Sequence, residues 1–314
     1  MPGVVAPFIK TEGIISPYVS VTEVLNSATA ASVDFTNLVP NASLNAQTEA
    51  LKDLIVKASA KADNYCLGAL GTLCATVNTE NGRYSANRLG QFVIQPYFWP
   101  ILELKSFEFG YAPGSGMNNV PLNDSNTSIE RYQFIITNQY GLSQATSIGG
   151  LNMVGGAWGA GQMQFCQYTY VNGFANTFTS AAITAGDTSL TVDSAVGLYP
   201  GMTVTIWDGA KDEQFVISSS WNGSSLTIPT VSPLIYSHTT DTNVSTMPAT
   251  VKQAVIHFIV AMAKERGAGG LVINELGEPV ATSSATVSQA YDEAAGYDLL
   301  DDFIQVWEIG RAHV

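Results

Sequence analysis

Two hydrophobic periods alternate along this chain. Residues 43–66, SLNAQTEALKDLIVKASAKADNYC, set Leu44, Leu51, Leu54, Ile55, Ala58, Ala62 and Tyr65 on one face at helical spacing. Asn41 or Ser43 can cap this helix, and Glu49 and Asp53 lie toward its front half. From Arg88 the period becomes two. RLGQFVIQPYFWPILELKSFEFGY reads as two strands broken at Pro96 and Pro100, with Leu102, Leu104, Phe107 and Phe109 supplying a sheet face. Residues 112–128 read as an exposed loop and 131–137 as another strand. The glycine-rich run 149–161 fits no phosphate-binding pattern and reads as a loop. Residues 162–171 alternate, with Met163, Phe165, Gln167 and Thr169 on one side and Gln164, Cys166, Tyr168 and Tyr170 on the other. Asn172-Gly173 then signals a tight turn.

Residues 176–245 change character, rich in Thr and Ser and nearly free of basic residues. TSLTV (188–192), TVTIW (203–207), EQFVI (213–217) and SLTI (225–228) read as strands, with turns at Asp208-Gly209 and Asn222-Gly223. This spacing predicts a small all-β barrel or sandwich inserted into a host domain. The segment 247–267, MPATVKQAVIHFIVAMAKERG, is a helix apolar nearly all round. Between Ala254 and Ala263 only His257 is polar, so other elements must pack on several of its sides. Thr246 is its expected cap and Gly267 its stop. After a loop with a short strand at 271–273, a last helix over 288–309 carries Tyr291, Ala295, Leu299, Phe303 and Val306 as its stripe and acidic residues elsewhere. Residues 1–40, punctuated by Pro2, Pro7, Pro17 and Pro40, read as an arm, either an ordered strap on their own domain or a reach to a neighbouring subunit. The expected fold is α+β. It comprises an arm at 1–40, a helical bundle with a β-hairpin at 41–175 and 246–310, an inserted β-module at 176–245 and a free tail at 311–314.

Composition narrows the function. Hydrophobic residues make up 46% of the chain, enough for a sizeable core, but charged residues only 12%, about half the usual share. That profile suits the polar, uncharged surfaces of virion and fibrous proteins. The net charge of −13 excludes a chain that adheres to nucleic acid as a whole, though an acidic surface can border DNA that slides past. Cys66, Cys74 and Cys166 lack C-x-x-C spacing, which argues against a disulfide framework or a zinc site. The N-terminus has no signal-peptide pattern, and the central helix is too short to span a membrane.

Chemistry is sparse. His238 reads as a loop residue, His257 as a satisfied core residue and His313 as part of the tail, with no metal-binding spacing and no nucleophile elbow. Asp298, Asp301 and Asp302 read as a solvated helix face, and the DGAKDE run at 208–213 as a hairpin turn rather than a calcium loop. No catalysis, cofactor or metal is expected. Trp207, Trp221 and Tyr236 could offer sugar-stacking faces. That leaves a second reading, a minor tail or decoration protein whose β-module binds a host-surface glycan. A polysaccharide-degrading enzyme is more distant, because no paired carboxylates can be picked out.

The order of these features resembles the head–tail connector, or adaptor, proteins of long-tailed bacteriophages. ALKDLIVKASAKADNYC resembles their opening helix, IQPYFWPILELKSFEFG their proline-bracketed hairpin, and QYTYVNGF the strand end before a proline-started helix. MPATVKQAVIHFIVAMAKERG resembles that helix, and an acidic C-terminal helix with a basic-tipped tail completes the order. The arm, the glycine-rich loop and the β-module depart from the family core. The resemblance implies a dodecameric ring beneath the portal in the virion neck, made in the host cytoplasm. It implies a portal ring above, a stopper or tail-completion protein below, and DNA passing through the lumen without sequence-specific binding, with no membrane partner. It also implies portal docking by the C-terminal segment, here Phe303, Trp307, Arg311 and His313. Phe303 and Trp307 read equally well as intramolecular core.

Overall fold

The computed structural model describes residues 16–39, 42–67, 72–87, 91–110, 113, 117–123, 125–130, 132–137, 163–268 and 283–312, with side chains in the last of these stretches only over 289–305. The first elements are α1 (Val21–Asn26) and α2 (Leu44–Leu67). Strands β1 (Thr76–Ser85), β2 (Gln91–Ile94), β3 (Ile101–Gly110), β4 (Asn118–Asn119), β5 (Thr127–Ile129), β6 (Phe134–Thr137) and β7 (Met163–Asn172) follow. Next come β8 (Asn176–Phe178), β9 (Ser189–Thr191), β10 (Thr203–Trp207), β11 (Glu213–Val216), β12 (Thr227–Pro229) and β13 (Asn243–Ser245), then α3 (Ala249–Ala263) and α4 (Ser283–Ala312). The class is α+β, with helices beside antiparallel sheets. The glycine-rich run 149–161 and the short strand at 271–273 lie outside the described residues.

The compact units do not follow the division read from the sequence. One is built on Ala75–Gly173, and the other joins Gly13–Cys74 to Phe174–Val314. The β-module therefore belongs with the helices, and the stretch that interrupts them is 75–173.

In the sheet unit, β1 pairs with β7 from Thr76 opposite Asn172 to Ser85 opposite Met163, and β3 flanks β7 on its other side. A second sheet, ordered β2-β6-β5, shares its core. Phe92, Phe107, Phe109, Phe134, Tyr168 and Tyr170 meet there, with Phe134 and Tyr168 centroids 5.1 Å apart. On β7 the set Gln164, Cys166, Tyr168 and Tyr170 is the buried one. The sequence analysis assigns no element to β1, whose TVNTENGRYS run is mostly polar. Its Glu80 explains the polarity. Its carboxylate accepts the hydroxyl of Tyr168 at 2.9 Å, the hydroxyl of Tyr170, and the backbone N–H of Tyr97 at 3.1 Å. Two buried phenols need an acceptor, and β1 supplies it.

In the larger unit, α3 lies against both α2 and α4. Val251, Ala254, Val255, Phe258 and Ile259 are completely buried, as a helix apolar nearly all round requires. Gly296 lets α4 come close: a Cβ there would lie 2.6 Å from the Phe258 ring. Lys264 ties α3 to α4 through Asp292 at 2.6 Å, and the Lys61 ammonium of α2 sits 4.8 Å above the Phe258 ring. Ser43 accepts the Ala46 N–H at the start of α2, while Asn41 lies outside the described residues. Thr246 does not cap α3. Its hydroxyl is buried without a partner, and Ser245 accepts the Met247 N–H instead. Residues 16–39 form a strap on their own unit, with Tyr18, Val19 and Val24 buried and a capping box between Ser20 and Glu23. Residues 174–247 fold as a four-stranded sheet, β11-β10-β13-β8, and a β12-β9 pair. β8 and β13 are too short to show a period in the sequence.

The strap meets α2 at Asp63, whose carboxylate accepts the Tyr18 hydroxyl and the Leu73 N–H at 2.8 Å. Burial pushes the Asp63 carboxyl up to about 6, against the opposing pull of those donors. An unfolded aspartate titrates near 3.9, so between about pH 4 and 6 the folded state binds the extra proton. This group's contribution is therefore most favourable below about pH 4 and is lost as the pH rises through 6. Asp63→Asn, which keeps an acceptor for Leu73, should remove that slope. Urea unfolding of both proteins from about pH 4 to about pH 7 measures it, and parallel pH profiles would contradict the assignment.

Candidate functional site

The most heavily interconnected polar group in the larger unit is Lys252, in the first turn of α3. Its side chain is 2% exposed. The ammonium donates to the Tyr18 carbonyl at 2.7 Å and to Asn243 Oδ1 at 2.8 Å, and pairs with Glu23 Oε2 at 3.0 Å. Three N–H groups thus meet acceptors from the strap, from β13 and from α1. The Trp207 ring of β10 closes the site, 5.1 Å from the ammonium. Burial pushes Lys252 down and Glu23 up, and their mutual attraction opposes both shifts. This is a structural knot with no room for a substrate. It fixes the role of Trp207, whose indole N–H is buried with no hydrogen-bond partner among the described residues.

The remaining candidate residues are dispersed. Trp221 is 6% exposed and donates its indole N–H to the Ser225 carbonyl, so it offers no open stacking face. Tyr236 is exposed. Of the three aromatic residues, Trp221 is thus closed off, Trp207 is half-buried and Tyr236 is open. Phe303 is buried, 6.1 Å between centroids from Phe174, so it serves the core. Trp307 and Arg311 fall on α4 where side chains are not described, and His313 lies outside the described residues.

His257 sits where α3 meets α4, its Nδ1 3.8 Å from Asp292 Oδ1, too far for a hydrogen bond, and burial holds its imidazole below the ordinary range. Asp298, Asp301 and Asp302 are exposed, and Asp301 accepts the Tyr65 hydroxyl. The 208–213 run is a turn held by its own carboxylates: Asp212 accepts the N–H groups of Asp208 and Gly209 at 2.8 Å, and Asp208 accepts those of Ala210 and Lys211. His238 is not a loose loop residue. It is completely buried and pairs across to Ile183. Sequence reasoning missed both Lys252 and His238. For Lys252 the available signal was a lysine on the face of an apolar helix, next to Val251.

Among the described residues, no group of three or more His, Cys, Asp or Glu side chains is placed to hold a metal ion. None of their helices is long and apolar enough to cross a membrane. The chain matches no family model and no curated protein.

Two substitutions probe these sites. Lys252→Met strands Glu23 and Asn243 in the interior and should cost about 3–5 kcal/mol of unfolding free energy, with part of the loss regained in the double variant carrying Glu23→Leu. A loss under about 1 kcal/mol in urea unfolding would show the knot to be dispensable. Phe303→Ala should cost about 3 kcal/mol through the cavity left against Phe174, read as a lowered unfolding midpoint.

Proposed function

We propose that this is a structural virion protein, a head-to-tail connector that assembles as a ring, with twelve copies as the expected number, beneath the portal. It joins the DNA-filled head to the tail and performs no catalysis. The observation that carries the reading is the chain order: an opening amphipathic helix, a proline-bracketed strand pair, an enclosed apolar helix and a long acidic C-terminal helix. The acidic balance supports it, since DNA must pass a lumen without adhering. Ring closure uses heterologous contacts, in which one patch meets a different patch on the next copy. On this reading the partners are the portal ring, the next connector below and other copies of the chain, and the site of action is the neck. Because Phe303 serves the core, portal contact falls to the end of α4 and the tail, with Trp307, Arg311 and His313 as its residues.

Electron microscopy of the chain mixed with the portal ring of its own phage tests this. A ring of matching symmetry should stack on the portal, and a chain lacking residues 306–314 should fold and fail to stack. If the full chain forms no complex, the connector reading loses its central expectation. If the truncated chain stacks equally well, the docking residues lie elsewhere.

A further inference from the structure

The described β-module holds one buried group that neither the fold nor the proposed function uses. His238 has a side-chain exposure of 0%, and each ring nitrogen faces a carboxylate. Nδ1 lies 2.9 Å from Asp208 Oδ2 and Nε2 lies 2.8 Å from Glu213 Oε1. A neutral imidazole has one donor and one acceptor, whereas an ionised carboxylate only accepts. Both contacts are hydrogen bonds only if the ring carries both protons or one carboxyl carries its own.

The carboxylates' other partners decide between these. Glu213 also accepts the N–H groups of Ile235 at 2.8 Å and Tyr236 at 3.3 Å, and Asp208 accepts those of Ala210 and Lys211. Such bonds favour the ionised form. Burial pushes the Asp208 carboxyl up, but those two N–H groups and His238 outweigh it and leave it below the ordinary range. The charges nearest the turn are of both signs. Glu23 of α1 and Lys252 of α3 interact with Asp212 of this turn, and Lys211 and Asp212 themselves are exposed. The two nitrogens point in opposite directions, so the three side chains cannot converge on one metal ion.

His238 joins two segments. Asp208 and Glu213 bracket the β10–β11 turn, and His238 ends the stretch 231–238, which carries the exposed apolar residues Val231, Ile235 and Tyr236. We propose that His238 is a proton-operated latch: as an imidazolium it holds Asp208 and Glu213 in place, and loss of its proton frees the Ile235–Tyr236 backbone from Glu213, while buried Leu234 and the bridge from His238 to Ile183 keep their own backbone hydrogen bonds. Without the proton, a ring lone pair faces a carboxylate in a site that water does not reach, and Glu213, pushed away, lets go of Ile235 and Tyr236. The latch is closed while the ring is charged and opens as the pH rises. It also weakens in acid, once the pH falls below the ordinary carboxylate range and Asp208 is neutralised.

Nitrogen NMR of the full chain labelled at histidine, followed from about pH 6 to about pH 9, reads the ring directly. Hydrogen exchange of the Ile235 and Tyr236 amides, corrected for intrinsic rate, reads the segment. The expected result is an imidazolium pattern for His238 at the acid end of the series and, as that pattern is lost, exchange on the order of tenfold faster. His238→Gln, fixed as neutral, should show the fast exchange at every pH. A neutral imidazole pattern at pH 6 with full protection of these amides would overturn the proposal, and so would His238→Gln with native protection throughout. If the variant fails to fold, the titration of the unaltered chain still decides.

Discussion

A lysine ammonium withdrawn from water is tolerable only if every N–H finds an acceptor and a counter-charge stands near. Lys252 meets that condition by drawing on two separate stretches of chain: the strap, through the Tyr18 carbonyl and Glu23 of α1, and the β-module, through Asn243 of β13. The requirement runs in both directions. Glu23 is 5% exposed and would be an uncompensated charge without Lys252. The strap, the β-module and the central helix are therefore mutually obligatory. Apolar packing alone would let these surfaces slide, since it is non-directional. The ion pair, the carbonyl and the amide fix one registration.

The same economy of polar partners recurs in the sheet unit. Tyr168 and Tyr170 contribute large rings to its core, and each brings a hydroxyl that must be satisfied. Glu80 answers both and also holds the Tyr97 backbone, while the Tyr170 hydroxyl accepts the Phe98 N–H at 3.1 Å. One side chain on an otherwise unremarkable strand thereby sets the position of an aromatic turn.

What the sequence made legible was governed by period. α2, α3 and the alternating strands β3 and β7 follow from spacing alone, because burial of one face imposes a repeat. β1 was illegible because its residues serve hydrogen bonds to tyrosines ninety or so positions away. The cap of α3 was misread at Thr246 because a cap depends on backbone direction, which composition does not carry. The candidate site was less legible still. Trp221 has the chemistry of a sugar-stacking ring, but its burial, which spacing does not reveal, closes it off. His238 looked incidental because its two carboxylates lie 25 and 30 residues away. A pairing of that kind has no period to betray it.

Cys74 and Phe174 bridge to one another, and the Phe174 N–H donates to the Leu73 carbonyl at 2.8 Å. The chain therefore leaves the larger unit and returns to it at adjoining backbone positions, with 75–173 hung between them. Such a junction behaves as a socket. Its two terminals lie side by side, and doubling the length of the stretch between them adds only about 0.6 kcal/mol of closure entropy. The α3 knot and the β-module around it can thus stay constant while the sheet unit is lengthened or exchanged. That socket is where variation can be admitted without reopening the core.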